Sequence, residues 1–303
     1  HELTGAVAQI LEDRFDAKND VTGVRTGYSK LDKLLSGLQP GTLNIVGARP
    51  AMGKSAFALG MAVSAARTTN RPVLFFSLEM SATELTQRIL SAEAQVDSDR
   101  MRTGRLQDAD WTKITNAINR LEVPLYIDDT SQITVMQIRQ KLRRVAVADA
   151  PPAMVVIDYL QLMGGGNNEN RQLEVSEISR GLKLLAREFG IPVVALSQLS
   201  RTIETRADRR PVLADLRESG ALEQDADVVI LLHRDDMYDS QNRTGEADLI
   251  VAKHRNGPTR TITVSAQLHY ARFFDMPQNP GGGTDWTQQR EGTTTPPEDS
   301  FGS

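Results

Sequence analysis

Leu43-Asn44-Ile45-Val46-Gly47-Ala48-Arg49-Pro50-Ala51-Met52-Gly53-Lys54-Ser55 decides the fold of this 303-residue chain. An apolar strand runs into a tight loop, the loop ends in Gly-Lys-Ser, and an apolar run from Ala56 to Val63 continues as a helix. That order is the signature of a phosphate-binding P-loop. A loop folded around a phosphate must aim backbone N–H groups inward, so Gly53 carries no side chain to block the approach. The helix starting near Lys54 adds unpaired N–H groups and the positive end of its dipole. Lys54 supplies a cation for the β- and γ-phosphates, and Ser55 a hydroxyl for Mg²⁺. The first glycine position of the pattern is held by Ala48, with Gly47 one residue early.

Composition narrows the class. Hydrophobic residues make up 40% and charged residues 24%, ordinary for a domain with a buried core. The formal net charge of −4 means that any contact with DNA must be local rather than a broad basic surface. The absence of cysteine excludes disulfides, thiolate metal sites and cysteine nucleophiles, and fits a reducing, cytoplasmic setting. No apolar run approaches the ~20 residues that span a bilayer, so no membrane partner is expected. The chain starts at His1 without Met, which suggests a piece of a longer protein.

Around the P-loop, short apolar runs at 43–46, 73–77, 125–127, 154–157, 193–196 and 228–232 alternate with helical patterns. Such runs suit strands buried on both faces. The helical patterns follow Ser81 (with Glu84 completing a capping box) and cover 110–121, 134–147 and 175–189. The expectation is an α/β fold with a mostly parallel sheet flanked by helices. Residues 249–252, 261–265 and 273–275 read as strands, with Asn256-Gly257-Pro258 as a hairpin turn, so an antiparallel edge is added. Residues 3–15 carry an apolar stripe at helical spacing before a polar connector that ends at 20. From 277 to 303 the chain is Gly, Thr, Pro, Gln and charge, and is expected to be disordered, with Trp286 a solvated aromatic or a partner hook.

Four further elements could complete a nucleotide site. Asp158 ends an apolar strand, where a carboxylate faces the ligand crevice and can hold Mg²⁺; a plain turn or cap Asp is the bland reading. Glu79 follows the strand after the P-loop helix and could orient and deprotonate an attacking water, or be a solvated strand-end charge. Gln198 ends another strand and could bond a γ-phosphate, or simply cap. Lys253 and Arg255 alternate along an edge strand and so share one face. They suit a neighbouring subunit's γ-phosphate as trans-acting fingers, or they protect the edge by charge.

Taken together these segments resemble the RecA-like motor domain of the DnaB family of replicative helicases, from about Val21 to Met276. The markers are 47–55, Phe-Ser-Leu-Glu-Met-Ser at 76–81, Val-Ile-Asp-Tyr-Leu-Gln-Leu at 156–162, Ala-Leu-Ser-Gln-Leu-Ser-Arg at 195–201, Leu-Arg-Glu-Ser-Gly at 216–220 and Lys-His-Arg-Asn-Gly-Pro at 253–258. The resemblance implies a RecA-like P-loop NTPase using ATP and Mg²⁺, with Ala51, Gly53, Lys54, Ser55, Ala56 and Arg88 at the nucleotide. It implies Glu79 as catalytic base, Asp158 as the Walker-B carboxylate beside Ser55 at the metal, and Gln198 as γ-phosphate sensor. It implies Lys253 and Arg255 as trans fingers, with His254 between them where the family often has Gln. It places Arg217, Glu218 and Gly220 on a DNA-binding channel loop, and the polar stretch 164–171 is a second candidate for the channel. It further implies a ring homo-hexamer moving 5′ to 3′ on single-stranded DNA, partnered by a primase and a loader in the longer protein. Residues 1–20 would then be the linker helix and connector, with 21–276 the motor. The competing reading is a RecA-like regulatory ATPase or scaffold that does not translocate.

Overall fold

The computed structural model of the chain describes residues 21–163, 171–216 and 220–277. The expected helix at 3–15, the stretch 164–170, Arg217, Glu218 and the tail with Trp286 lie outside them. The described chain opens with α1 (Ser29–Leu35), β1 (Leu43–Ala48), α2 (Lys54–Thr69), β2 (Val73–Ser77), α3 (Ala82–Ala94), α4 (Ser98–Thr103) and α5 (Asp108–Arg120). It continues through β3 (Leu125–Asp128), α6 (Val135–Ala148), β4 (Met154–Asp158), α7 (Arg171–Phe189), β5 (Val193–Gln198) and α8 (Gly220–Asp225). It closes with β6 (Val228–His233), β7 (Glu246–His254), β8 (Arg260–Gln267) and β9 (Arg272–Asp275). All nine expected strands are present, in one sheet of order β3-β2-β4-β5-β1-β6-β7-β8-β9. The first six pair in parallel, and β6 to β9 pair antiparallel. No helix among the described residues is long and apolar enough to cross a membrane.

The parallel strands are apolar throughout because both faces are covered. In β1, Val46 and Ala48 join the core built with α2, while Leu43 and Ile45 join the core under α6 and α7. β4 divides the same way, Met154 and Val156 on one face and Val155 and Ile157 on the other. This is the period of two that a strand imposes on its side chains. Gly47 explains itself here. A Cβ on it would lie 2.8 Å from Leu199 Cδ2 and 3.0 Å from Leu231 Cδ2, so this glycine serves close packing of β1 rather than the phosphate loop. The capping box at Ser81 forms as its spacing predicts: Glu84 N donates to Ser81 Oγ, and Ser81 N donates to Glu84.

The antiparallel extension is fastened by one buried carboxylate. Asp248, 2% exposed, accepts from both terminal nitrogens of Arg243 at 2.8 Å and from Thr263 at 2.9 Å, and pairs with Arg210 at 2.9 Å. Burial alone would raise its pKa. The hydrogen bonds from Arg243 and Thr263 and the charges of Arg243 and Arg210 outweigh it and bring the carboxyl down to about 2. An unfolded Asp titrates near ~3.9. The folded value is the lower one, so this stabilisation is complete above about pH 4 and is lost as pH falls towards 2. Because the two arginines are a third exposed or more and water screens them, it is worth about 1 kcal/mol. Asp248→Asn is therefore expected to lower stability at pH 7, by urea unfolding, with the gap to the parent narrowing through pH 3 and closing only towards pH 2. A gap that stays constant down the pH series contradicts the assignment.

Candidate functional site

The carboxyl ends of β1, β2, β4 and β5 share one edge of the sheet, and the candidate residues meet there. Ala48 is in register with Gln198 across β1 and β5, and Ser77 with Asp158 across β2 and β4. The chain leaves β1 into the P-loop and re-enters helix at Lys54, with Gly53 as N-cap in the left-handed region at φ 95°. Gly53 has no side chain to cap the helix, so the N–H groups of the first turn of α2 are left for a ligand. A Cβ there would also meet the Phe273 ring at 2.7 Å. Ala51 shares the left-handed conformation at φ 65°.

These backbone groups line a cavity of about 440 Å³. Its walls include Ala51, Gly53, Lys54, Ser55, Ala56, Glu79, Arg88 and Gln198, so eight of the predicted residues converge on one space. Asp158 lies beneath it, with no exposure. Its Oδ2 accepts the Ser55 hydroxyl at 2.5 Å, and its Oδ1 is 3.5 Å from Lys54 Nζ. Oδ1 is buried and has no hydrogen-bond partner. An orphaned carboxylate oxygen beside a serine hydroxyl is a pair of hard oxygen donors, which fits Mg²⁺ carrying further oxygens from phosphate and water.

Burial pulls the Lys54 ammonium below the usual lysine range, and the charges of Asp158 and then Glu79 oppose that shift. The ammonium also lies 4.4 Å above the Tyr159 ring. Lys54 is thus held between a carboxylate and an aromatic face, aimed into the cavity. Glu79 sits two residues beyond the end of β2, exposed at the rim. Being outside the strand gives it a free side chain in the cavity, where the strand's own last residue, Ser77, is spent on a bond to the Met80 carbonyl.

Three participants escape sequence reasoning. Tyr159 follows Asp158 and supports Lys54. Gln161 spans from the end of β4 to the end of β5, donating to Ser197 Oγ at 2.8 Å and accepting the Gln198 N–H at 3.3 Å, so it braces the carboxyl end of β5. Arg49, in the P-loop itself, donates to Glu204 and to the Leu199 carbonyl. Only the Asp-Tyr-Leu-Gln order after β4 hints at the first two.

Lys253, His254 and Arg255 are not at this cavity. Lys253 pairs with Val229 and Arg255 N bonds the Asp227 carbonyl, at the opposite end of β6 and β1. β7 ends at His254, and its register against β6 slips between Val229 and Ile230, leaving Ala252 as the extra residue of a bulge. The bulge precedes both Lys253 and Arg255, so it shifts the two together and leaves their spacing of two residues intact. Lys253 Nζ turns to the last carbonyls of α8, 2.5 Å from that of Glu223 and 3.3 Å from that of Gln224. Arg255 is 64% exposed and only 3.6 Å from Asp227 Oδ1. Of the DNA-loop candidates, Gly220 alone is described: it is exposed and begins α8.

The family model described as the DnaB-like helicase C-terminal domain matches residues 23–275. A protein named replicative DNA helicase DnaB in Leifsonia xyli subsp. xyli is 53% identical over 280 residues, covering 90% of this chain and 61% of that protein. Its namesake in Geobacillus stearothermophilus is 49% identical over 274 residues, covering 87% and 60%. The chain thus spans about 60% of the length of these relatives. Among solved structures, the ATPase domain of G40P superposes with a TM-score of 0.85 at 36% identity, covering 91% of this chain and 99% of that one. A DnaB-like replicative helicase studied with primase gives 0.83 at 36%, covering 90% and 66%. With the P-loop, the buried Asp158 and the sheet order all in place, this chain belongs to the DnaB-like helicase C-terminal domain family.

Proposed function

We propose that the chain is the ATP-hydrolysing motor of a replicative DNA helicase, drawing single-stranded DNA 5′ to 3′ through a ring of six copies. One observation carries this reading: the site is divided between the two ends of the sheet. Lys54, Ser55, Glu79, Asp158 and Gln198 gather at one edge, while Lys253 and Arg255 lie at the other. The six residues of β1 alone separate the edges by roughly 17 Å at about 3.3 Å per residue, beyond the reach of an arginine side chain. These cations can complete a nucleotide site only on another copy.

Each residue then has a task. The first turn of α2 and Lys54 bind the β- and γ-phosphates. Ser55 and Asp158 would hold Mg²⁺, which when bound supplies charge neutralisation at the phosphates. Glu79 accepts a proton from the attacking water, and Gln198, braced by Gln161, touches the γ-phosphate. Lys253 and Arg255 of the neighbouring copy stabilise the charge that develops on the transferred group. Arg217, Glu218 and Gly220 contact the DNA backbone in the channel. The neighbour described with its interactions with primase supports a primase partner for the longer protein; a loader and a cytoplasmic place at the replication fork complete the proposal.

Steady-state ATPase is the test. Hydrolysis is expected to rise several-fold on adding oligo-dT. A rate indifferent to DNA, in a sample whose native mass shows six copies, would overturn the motor reading in favour of a regulatory ATPase.

A further inference from the structure

Residues 201–210 hold four arginines and two carboxylates, in a chain whose formal net charge is −4. The arginines divide by what they touch. Arg206 bonds the buried Asp215 at 2.6 Å, and Arg210 pairs with the buried Asp248 at 2.9 Å. Those two hold the segment onto the domain. Glu204 is taken by Arg49, whose Nε and Nη2 reach one carboxylate oxygen at 3.0 and 2.5 Å. Asp208 accepts the backbone N–H of Arg210 at 2.9 Å. Arg201 and Arg209 are exposed, and among the described residues neither has a carboxylate partner. Arg209 lies 5.0 Å over the Tyr238 ring, which orients its guanidinium without neutralising it.

Position gives these two charges a meaning. Leu199 and Leu216 form an isolated antiparallel bridge, and Ser200 N donates to the Asp215 carbonyl at 2.8 Å. Arg201 therefore begins beside the residues that lead into 217. The same segment is tied to the nucleotide loop, since Leu199 N donates to the Ala48 carbonyl and Arg49 Nη1 to the Leu199 carbonyl at 2.8 Å. A phosphate-contacting cation must be exposed, unneutralised and fixed in place. In an acidic chain, such cations have to be concentrated locally.

We propose that Arg201 and Arg209 form a second contact surface for the sugar-phosphate backbone of single-stranded nucleic acid, on a segment that Arg49 and Glu204 fasten to the nucleotide loop. This inference rests on the single-stranded DNA reading above. The test is binding of a fluorescent oligo-dT by the whole chain, with a slowly hydrolysed ATP analogue, across a KCl series. Each lost phosphate contact on a single strand reduces the slope of log K against log salt by about 0.7. Arg201→Ala/Arg209→Ala is expected to reduce it by about 1.4 and to weaken binding at low salt by roughly ten-fold or more. Arg201→Lys/Arg209→Lys, which keeps the charge, retains most of the slope. An unchanged slope in the double alanine variant, folded by circular dichroism, overturns the inference and leaves the motor reading standing. Loss of the oligomer's native mass with an unchanged slope also overturns it, making the arginines a subunit contact. If the parent chain itself binds no oligo-dT, both readings fall together.

Discussion

Arg255→Ala is expected to lower the kcat of ATP hydrolysis by about 10³-fold or more, the scale on which an arginine supplied in trans acts at a transferring phosphoryl group. The side chain is placed for lending. It is 64% exposed, and its contact with Asp227, at 3.6 Å, is longer than a hydrogen bond. Asp227 is already committed: it accepts Leu43 N at 2.9 Å and is paired with Lys183. With that carboxylate already neutralised by Lys183, little holds Arg255 back from a phosphate. The variant should leave nucleotide affinity of an isolated copy unchanged, because no described residue at the P-loop edge touches residue 255. Mixing gives the decisive measurement. Arg255→Ala copies keep an intact P-loop, and Lys54→Ala copies keep an intact finger. If the finger acts across a subunit boundary, the mixture hydrolyses more ATP than the two samples do separately. A mixture that equals the sum, in assemblies shown by native mass to contain both, rules the trans arrangement out.

Lys253 makes a contact of a different kind. Its ammonium holds the last carbonyls of α8, where a cation also complements the helix dipole, so its removal loosens the short helix that starts at Gly220. That contact could not be foreseen, because it depends on the bulge at Ala252. Alternation along an ideal strand predicts one face for Lys253 and Arg255. The extra residue precedes both, so it turns the pair together relative to the rest of β7, and its cause lies in the pairing with β6 rather than in the local sequence. The parallel strands were legible for the opposite reason. Burial on both faces leaves each of them a short continuous run of Val, Ile and Leu. The cavity residues were legible because the fold puts strand ends on one edge: a polar residue that ends such a run, as Asp158 ends β4 and Gln198 ends β5, lies at the crevice. Short polar helices left no such trace. α4 buries none of its six residues and is fixed by the Asp97 side chain accepting from Asp99 and Arg100 N–H groups. The Arg49–Glu204 pair joins residues 155 apart, a distance at which no local pattern operates.

Glu79→Gln is expected to reduce kcat by about 10²- to 10⁴-fold while leaving ATP binding within a few-fold of the parent. The amide keeps the shape and the rim position of the carboxylate but cannot take a proton from water. No other described group at the cavity is a comparable base. Asp158 is buried, bonded to the Ser55 hydroxyl and beside Lys54, so its charge serves binding. Gln198 cannot ionise, and Lys54 and Arg88 are cations. Among the described residues Glu79 alone combines a carboxylate with exposure at the mouth of the cavity, where a water can reach it and where Lys54 also lines the wall. Its charge reaches Lys54, so the substitution also removes one of the two carboxylates that oppose the effect of burial on that ammonium. Binding of a fluorescent ATP analogue, read beside single-turnover hydrolysis, separates the two effects. A loss confined to affinity would make Glu79 a partner of Lys54 and leave the base unassigned. A loss confined to the chemical step, with DNA binding intact, makes the rim carboxylate the group that activates water.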